Sequence, residues 1–394
     1  MGLIQHWRDS KAQELHREGI RLLNRGRARD AEPVAREAVR IRSKVFGPDD
    51  ATTLASRVVW ARALGGLQRH AEAEAELREV LRLAPDPTAR GELVRWARLG
   101  LAQVQVRTGR AEEARAEAAL LLELTGRADV DYTRAALAIE AAALSTLGRH
   151  AEAVARWTEL EAAATATAGG GSAQALKARS DRTQALVYLG RFQEAEAQAR
   201  ALMDVAASGG PGGVLLGMAA RNALVLSLTA RGRAVEAEAE ARTAVGHAAG
   251  IAGLDARFLL TARLGLARAL NAQGRHDEAL SALRPALEHT TPDPVGEEEL
   301  EAALHLVTAV TLLGLGKDAA PSLEKSSELC RRTLGPNHHR ALEVGTLRGR
   351  VLAAQGRLPE AREALRTNAA AWQEHFGEGH PKTRAAQQAL AELG

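Results

Sequence analysis

A pattern of small apolar and acidic positions recurs along the chain every 39–42 residues. A glycine is followed four residues later by an acidic residue and five residues later by alanine, as in Gly26, Asp30 and Ala31. The nine turn anchors of this pattern are Gly26, Gln68, Gly109, Gly148, Gly190, Gly232, Gly274, Gly316 and Gly356. A repeat of this length predicts one supersecondary unit that buries its apolar face against its neighbours.

Each position of the repeat has a physical role in a helix–turn–helix unit. The glycine ends the first helix because the turn needs a left-handed residue. The acidic residue falls in the first turn of the second helix, where the amide dipoles favour negative charge. The alanine, together with a mostly small residue seven positions before the anchor, lets two antiparallel helices approach closely. The pattern therefore predicts nine helical hairpins and a final capping helix near residues 381–393.

The turn pattern and the linkers between repeats resemble those of the tetratricopeptide repeat superfamily. The linkers that carry the resemblance are Gly47-Pro48-Asp49-Asp50, Gly335-Pro336-Asn337-His338 and Gly377-Glu378-Gly379-His380-Pro381, and they are most similar to the long repeats of kinesin light chains. The resemblance covers residues 11–393 and implies an all-α, right-handed superhelical α-solenoid of about nine repeats plus a C-terminal capping helix. Residues 1–10 are then an N-terminal extension. Within 280–325, Pro285 and a degenerate eighth repeat predict either a flexible joint or a locally repaired kink.

Composition agrees with a helical repeat and excludes several other classes. Hydrophobic residues make up 46% of the chain, but aromatic residues make up only 3%. Because this composition is poor in strand formers, all-β and α/β folds are excluded. The single Cys330 excludes an internal disulfide framework and a cysteine-based zinc site. The start of the chain does not have the pattern of a signal peptide, and no run of eighteen apolar residues is evident. We therefore expect a cytoplasmic protein without membrane contact.

A search for catalytic and metal-ligating constellations finds none that outweighs a structural interpretation. His150, like His70 and His276, lies two residues past a turn anchor and so recurs with the fold. His338 and His380 occupy matching loop positions of successive repeats, which favours capping of the next helix over metal binding. We expect no metal, no cofactor and no enzymatic activity.

The resemblance also implies a binding groove, because the first helix of each repeat lines the concave face in this fold. The candidate groove residues are Arg62, Trp96, Gln103, Arg107, Lys177, Gln184, Tyr188, Asn222, Arg268, Asn271 and Arg350. The groove positions carry five cations and a single acidic residue, Glu343, so the groove has a net positive charge. Amides can pair with the backbone of an extended peptide, and arginines can bind its acidic groups or terminal carboxylate. Trp96 and Tyr188 are candidate anchors for its side chains.

A second series of arginines lies eleven residues before the anchors. Its register predicts contact with a neighbouring helix, so ion pairing to the acids of the repeat is favoured over ligand binding. The series comprises Arg57, Arg98, Arg179, Arg221 and Arg263.

These observations favour a non-catalytic interaction module, an adaptor that binds an extended, acidic or carboxylate-bearing protein segment in its groove. The alternative is a sensor, in which a peptide or small molecule enters the groove and controls a separate effector chain. A solvated groove with the partner on the convex face is a further alternative. An enzyme or a nucleic-acid binder is the least favoured class, since no catalytic site was found and stacking aromatics are scarce. The sequence does not identify the partner or the oligomeric state.

Overall fold

The computed structural model describes residues 3–84, 91–125, 129–208, 212–254, 256–288 and 297–393 of the chain. These residues form nineteen α-helices joined by turns and loops, without a β-strand among them, so the predicted all-α class is confirmed. The helices are α1 (Leu3–Asn24), α2 (Ala28–Phe46), α3 (Ala51–Gly66), α4 (His70–Leu83), α5 (Gly91–Arg107), α6 (Ala111–Thr125), α7 (Val130–Thr146), α8 (His150–Ala168), α9 (Ala173–Tyr188), α10 (Phe192–Ala207), α11 (Gly213–Ala230), α12 (Ala234–Gly250), α13 (Ala256–Ala272), α14 (His276–Glu288), α15 (Glu297–Gly314), α16 (Ala320–Thr333), α17 (His339–Ala354), α18 (Leu358–Phe376) and α19 (Pro381–Ala391).

Over these described ranges, α1–α18 form nine helix–turn–helix pairs, and α19 follows as the predicted capping helix. Helix α1 begins at Leu3, within the segment 1–10, and the assignment of that segment as an N-terminal extension stays a prediction. The proposed joint over 280–325 contains the end of α14, α15 and the start of α16, while 289–296 lie outside the described residues. Pro285 lies inside α14, and the joint itself stays a prediction.

Every hairpin turn contains a residue in the left-handed conformation at its anchor, as the repeat predicts. The eight glycine anchors have φ values between +65° and +77°, and Gln68 has φ +62°. At Gly190, the next amide, that of Arg191, donates to the carbonyl of Leu186 at 3.0 Å, which closes the end of α9. Gln68 adopts the same conformation although its Cβ makes that conformation costly.

Small residues hold the helices of each pair together. Ala61, Ala102 and Ala267, seven residues before their anchors, are at most 1% exposed. The alanines that follow the acidic residues are all 0% exposed: Ala31, Ala73, Ala114, Ala153, Ala195, Ala237, Ala279 and Ala361. A larger side chain at these positions would separate the helices, since protein cores are close-packed.

Residue contacts divide the chain into two compact units, of which unit 1 ends at Ala143 and unit 2 begins at Leu144. Unit 1 has a core around Leu54, Leu77 and Leu101. The largest core of unit 2 forms around leucines and alanines of α9 to α15. The repeat pattern passes through residue 143 without interruption, so the sequence does not indicate this division.

The helix α11 corrects the expectation that no apolar run is long enough to span a membrane. It has 18 residues with a mean hydropathy of 1.5, which meets that criterion by length and composition alone. In unit 2 it packs against α9, α10, α12 and α13, and Leu224 and Leu228 are buried. Arg221 forms an ion pair with Glu240 of α12. These contacts are those of a core helix of the repeat.

Two loops in unit 2 lie against two hairpin turns that are far earlier in the chain. Nδ1 of His339 lies 2.9 Å from Nε2 of His150, 189 positions apart. Nε2 of His380 lies 3.1 Å from the main-chain oxygen of Tyr188. Pro381 lies so close to Gly190 that a Cβ on this glycine would be 2.6 Å from its Cδ. We call these two approaches, of the loops before α17 and α19, the loop–turn contacts.

The conformation of Gln68 yields a first prediction. Replacing it with glycine relieves the left-handed strain, so Gln68→Gly should stabilise the α3–α4 hairpin by about 1 kcal/mol. The measurement is amide hydrogen exchange of α3 and α4. The control Gln68→Ala removes the contact of its Oε1 with Nε2 of His70, 2.6 Å away, but keeps the strain, and should give no gain. Equal protection in Gln68→Gly and the parent chain would contradict this account.

The loop–turn contacts yield a second prediction, with a matched control. Gly190→Ala and Gly232→Ala carry the same backbone strain, because φ is +72° and +77°, but no atom lies within 4 Å of a Cβ at Gly232. Gly190→Ala must also displace Pro381, so it should cost about 1–3 kcal/mol more. Urea unfolding measures the difference, and exchange at the start of α19 locates it. Equal losses in both variants would show that the contact contributes nothing.

Candidate functional site

The predicted groove positions of successive repeats converge on one cavity in unit 2. This cavity has a volume of about 640 Å³, and its wall includes Gln184, Tyr188, Asn222 and Arg268, all of which the sequence predicts as groove residues. They lie on α9, α11 and α13, whose anchors are 42 residues apart, so the same face of each helix points inward. Glu343 on α17 also lines the cavity.

Arg268 provides a cation without a fixed partner. Within the part of the chain that the structure describes, its guanidinium forms no hydrogen bond or ion pair, although it interacts at longer range with Glu343. Burial lowers the pKa of Arg268, and Glu343 only partly offsets this effect. A half-buried guanidinium of this kind is stabilised by an incoming anion, since unpaired charge in a cavity is costly.

Four other charges at the cavity wall form two ion pairs. The Lys382 ammonium lies 2.8 Å from the Glu343 carboxylate, and the Arg340 guanidinium lies 3.0 Å from Glu299. Burial opposes ionisation of Glu343, but Lys382 and Arg268 hold its pKa at about 2. Burial also disfavours the charged form of Arg340, yet Glu299 raises its pKa above the ordinary value. Arg268 is thus a positive group at this wall without a fixed partner among the described residues.

Two side-chain amides lie beside this cation. Nδ2 of Asn222 donates to Oε1 of Gln184 at 3.3 Å, which links α11 to α9. Nε2 of Gln184 is buried and forms no hydrogen bond to any described residue. A buried donor without a partner costs free energy, so an acceptor that enters the cavity gains this hydrogen bond.

Tyr188 contributes to the wall through its ring. The ring stacks on that of His339, with centroids 4.0 Å apart. Burial raises the pKa of the Tyr188 hydroxyl, which therefore stays protonated. The stacking attaches the cavity wall to the loop before α17.

Three buried histidines lie behind this wall. The ligand nitrogens of His150, His338 and His339 are all within 4.8 Å of one another. Burial lowers the pKa of His150 to about 3 and that of His338 to about 4, and it lowers the pKa of His339 well below its ordinary value. The three rings are neutral at physiological pH, so each retains a nitrogen lone pair.

The capping role predicted for two loop histidines is confirmed. Nδ1 of His338 accepts from the amide of Arg340 at 3.2 Å, and Nδ1 of His380 accepts from the amide of Lys382 at 3.2 Å. Each ring therefore satisfies one free amide at the start of α17 or α19.

Four predicted groove residues do not line the cavity of unit 2. Lys177 is exposed and pairs with Asp181 at 2.7 Å. Asn271 is engaged within the fold, because Nδ2 donates to Thr311 at 2.9 Å and Oδ1 lies 2.9 Å from Nδ1 of His276. Trp96 packs against the core of unit 1, and Arg350 is exposed on α17.

The remaining predicted residues come together in unit 1. Arg62, Gln103 and Arg107 line a pocket of about 270 Å³. Arg107 donates to the main-chain oxygen of Gly65 at 3.2 Å, which fixes its position. The cations of this pocket are solvent-exposed, whereas Arg268 in the cavity of unit 2 is half-buried.

The second arginine series behaves largely as its register predicts. Arg57 pairs with Glu76 at 2.5 Å, and Arg98 pairs with Glu117 at 2.6 Å. The series continues with the pairs Arg179–Glu161 and Arg221–Glu240. Four of these five arginines thus bind acids of a neighbouring helix.

Sequence reasoning missed the cavity residues that come from outside the groove register. Glu299, Arg340 and Lys382 reach the cavity from the start of α15, α17 and α19. The matching loop positions of His338 and His380 were the available signal, because both loops carry a cation two residues later.

Comparison with known families supports the repeat assignment. One tetratricopeptide repeat family matches residues 95–129 and 260–285, and a second matches 19–51 and 348–382. No curated protein matches the sequence significantly. The kinesin-light-chain variety of the repeat stays a prediction.

Solved structures with a similar fold include regulators and a repeat protein. The apo form of the quorum sensor NprR from B. thuringiensis has a TM-score of 0.64 at 12% identity, over 92% of this chain and 99% of that one. NprR in complex with its cognate peptide NprX has a TM-score of 0.54 at 12% identity, over 84% and 98%. A tetratricopeptide repeat protein from Parabacteroides merdae has 0.50 at 15%, over 75% and 98%.

At these identities the likeness concerns the fold. The two family matches, with the nine hairpins and their left-handed turns over the described residues, support a tetratricopeptide repeat protein.

Proposed function

We propose that the protein is a non-catalytic, peptide-responsive regulator that binds a short carboxylate-bearing peptide in the cavity of unit 2. The observation that carries this proposal is Arg268, a half-buried guanidinium without a fixed partner at the cavity wall. A planar guanidinium binds a carboxylate through two parallel hydrogen bonds, which makes it the side chain best suited to this task.

The rest of the wall suits a peptide. Gln184 and Asn222 offer amides for its backbone, and Val187, Phe192 and Leu226 offer apolar surface for its side chains. A cavity of about 640 Å³ is within the size range of sites for small ligands. This volume favours a short peptide over a long extended segment, and so favours the sensor over the adaptor.

The similar fold of NprR adds weight of a weaker kind. That protein was solved with its cognate peptide NprX, and it aligns over most of both chains. Fold likeness at 12% identity does not transfer a ligand, so the residues of this cavity must carry the argument.

The loop–turn contacts offer a way for binding to be transmitted. Arg340 and Lys382 line the cavity and lie next to the histidines that form these contacts. A ligand that touches these side chains changes the stability of the loop–turn contacts, and thereby the fraction of molecules in which these contacts are formed. The effector in this proposal is a separate chain.

A second role, as an adaptor, rests on unit 1. Its pocket collects Arg62, Gln103 and Arg107, the cationic and amide groups predicted for the groove. Exposed cations of this kind attract an acidic protein surface and chiefly speed its association.

Removal of the free cation should weaken peptide binding. Arg268→Ala loses the charge-assisted pair, and we expect affinity for peptides with a free carboxyl terminus to fall about 10- to 100-fold. The measurement is isothermal titration with short peptides selected from a pool by native mass spectrometry. Amidated versions of the same peptides should bind the parent chain with similarly reduced affinity.

Two predicted groove cations serve as matched controls. Arg350→Ala and Lys177→Ala each remove one positive charge from an exposed position, and both should leave the affinity unchanged. If these variants lose as much affinity as Arg268→Ala, the ligand follows the open groove predicted from the sequence. Full affinity in Arg268→Ala would refute the proposed site.

Glu343→Gln should act in the opposite direction. The substitution removes the negative charge that competes for Arg268 and leaves Lys382 without its partner, so the cavity becomes more positive. We expect carboxylate peptides to bind about tenfold more tightly. The same titration measures this change, and amidated peptides should show no gain. Weaker binding of the free-acid peptides would mean that Glu343 contacts the ligand directly.

A further inference from the structure

Three imidazoles from two distant segments meet in the interior of unit 2. His150 begins α8, whereas His338 and His339 precede and begin α17. Their exposed fractions are 2%, 2% and 5%. Such burial is costly unless the ring nitrogens have partners, because each neutral ring carries one donor and one acceptor.

Hydrogen bonds to described residues satisfy only some of these ring nitrogens. Nε2 of His150 pairs with Nδ1 of His339 at 2.9 Å, and Nδ1 of His338 accepts from the amide of Arg340. Nδ1 of His150 is buried and forms no hydrogen bond to the residues that the structure describes. One nitrogen of each ring also lies within 4.8 Å of those of the other two, close enough for the three rings to share a metal ion.

We propose that His150, His338 and His339 bind one Zn²⁺ ion. The ligand atoms are Nε2 of His150, Nδ1 of His339 and Nε2 of His338, since Nδ1 of His338 caps the helix. Tetrahedral zinc with bonds of about 2.0–2.1 Å to nitrogen places its ligand nitrogens about 3.3 Å apart. The His150–His339 pair must therefore open by only a few tenths of an ångström from 2.9 Å, and one nitrogen of each of the three rings already lies within 4.8 Å of the others.

The surrounding charges are compatible with a divalent cation. Arg340 and Lys382 are positive groups that act on His339, and each is paired with a carboxylate, Arg340 with Glu299 at 3.0 Å and Lys382 with Glu343 at 2.8 Å. Neutral imidazole is a preferred ligand of zinc, and three such ligands leave the fourth position to water. His339 also lines the cavity, so this position lies beside the proposed peptide site without depending on it.

An ion at this place joins the start of α8 to the start of α17 across 189 residues. It fixes this loop–turn contact at the cavity wall, because His338 and His339 lie at the start of α17 and His150 lies at the start of α8. The ion thereby links α8 to α17, and its signature is stabilisation of unit 2 against unfolding.

The test is titration of the EDTA-treated full chain with zinc chloride by calorimetry. We expect one Zn²⁺ per chain and a rise of the unfolding temperature with zinc concentration. Cobalt chloride should give the visible absorption bands of a tetrahedral site. His150→Gln and His339→Gln should each weaken zinc binding by more than about 100-fold, because loss of an outer-shell partner alone costs 10- to 100-fold.

His70→Gln is the matched control, since His70 occupies the same repeat position in unit 1 and should leave zinc binding unchanged. Circular dichroism verifies that each variant is folded. The parent chain decides even where a variant is not, because absence of one-to-one zinc binding overturns the proposal. Unchanged affinity in a folded His150→Gln variant, or equal loss in His70→Gln, overturns it as well.

Discussion

The candidate site depends on the approach of two late loops to two early turns in unit 2. Without the contacts of His339 with His150 and of Pro381 with Gly190, the helices α9, α11 and α13 present an open face. With them, Arg340 and Lys382 complete a cavity around that face. The close approach at Gly190 is possible because this residue has no Cβ. The same glycine also supplies the left-handed turn, so one position meets both a local and a long-range requirement.

The sequence predicts the fold well because the signal is local and repeated. Nine turn anchors give the hairpins, and burial of the alanine after each acid shows that the pattern was correctly assigned to helix packing. Even Gln68 follows the rule, since the repeat imposes the left-handed conformation where glycine is missing. The register then places Gln184, Tyr188, Asn222 and Arg268 on one surface, and all four line the cavity, while their role in binding stays a prediction.

The rest of the site escapes prediction because it depends on partners that a register does not specify. Lys177 and Asn271 occupy groove positions, but Asp181 and the Thr311–His276 pair bind them. Periodicity identifies the face of a helix, whereas a side chain's availability depends on neighbours up to 40 residues away. For the histidines, the register likewise does not indicate which one gains partners from a distant segment. His150 shares its repeat position with His70 and His276, yet only the loop before α17 makes it part of a buried cluster.

The charge balance of the cavity links the proposed peptide site to the loop–turn contacts. Lys382 and Arg340 are neutralised by Glu343 and Glu299, and these pairs hold the loop segments at the wall. Pairing at the wall leaves Arg268 as the group that an anion can neutralise. In the proposed function, an anion bound there offsets the repulsion between Arg268 and Arg340, which favours the charged Arg340–Glu299 pair at the wall. Under that proposal, ligand binding and the contact made by the segment around Arg340 are coupled with the same sign.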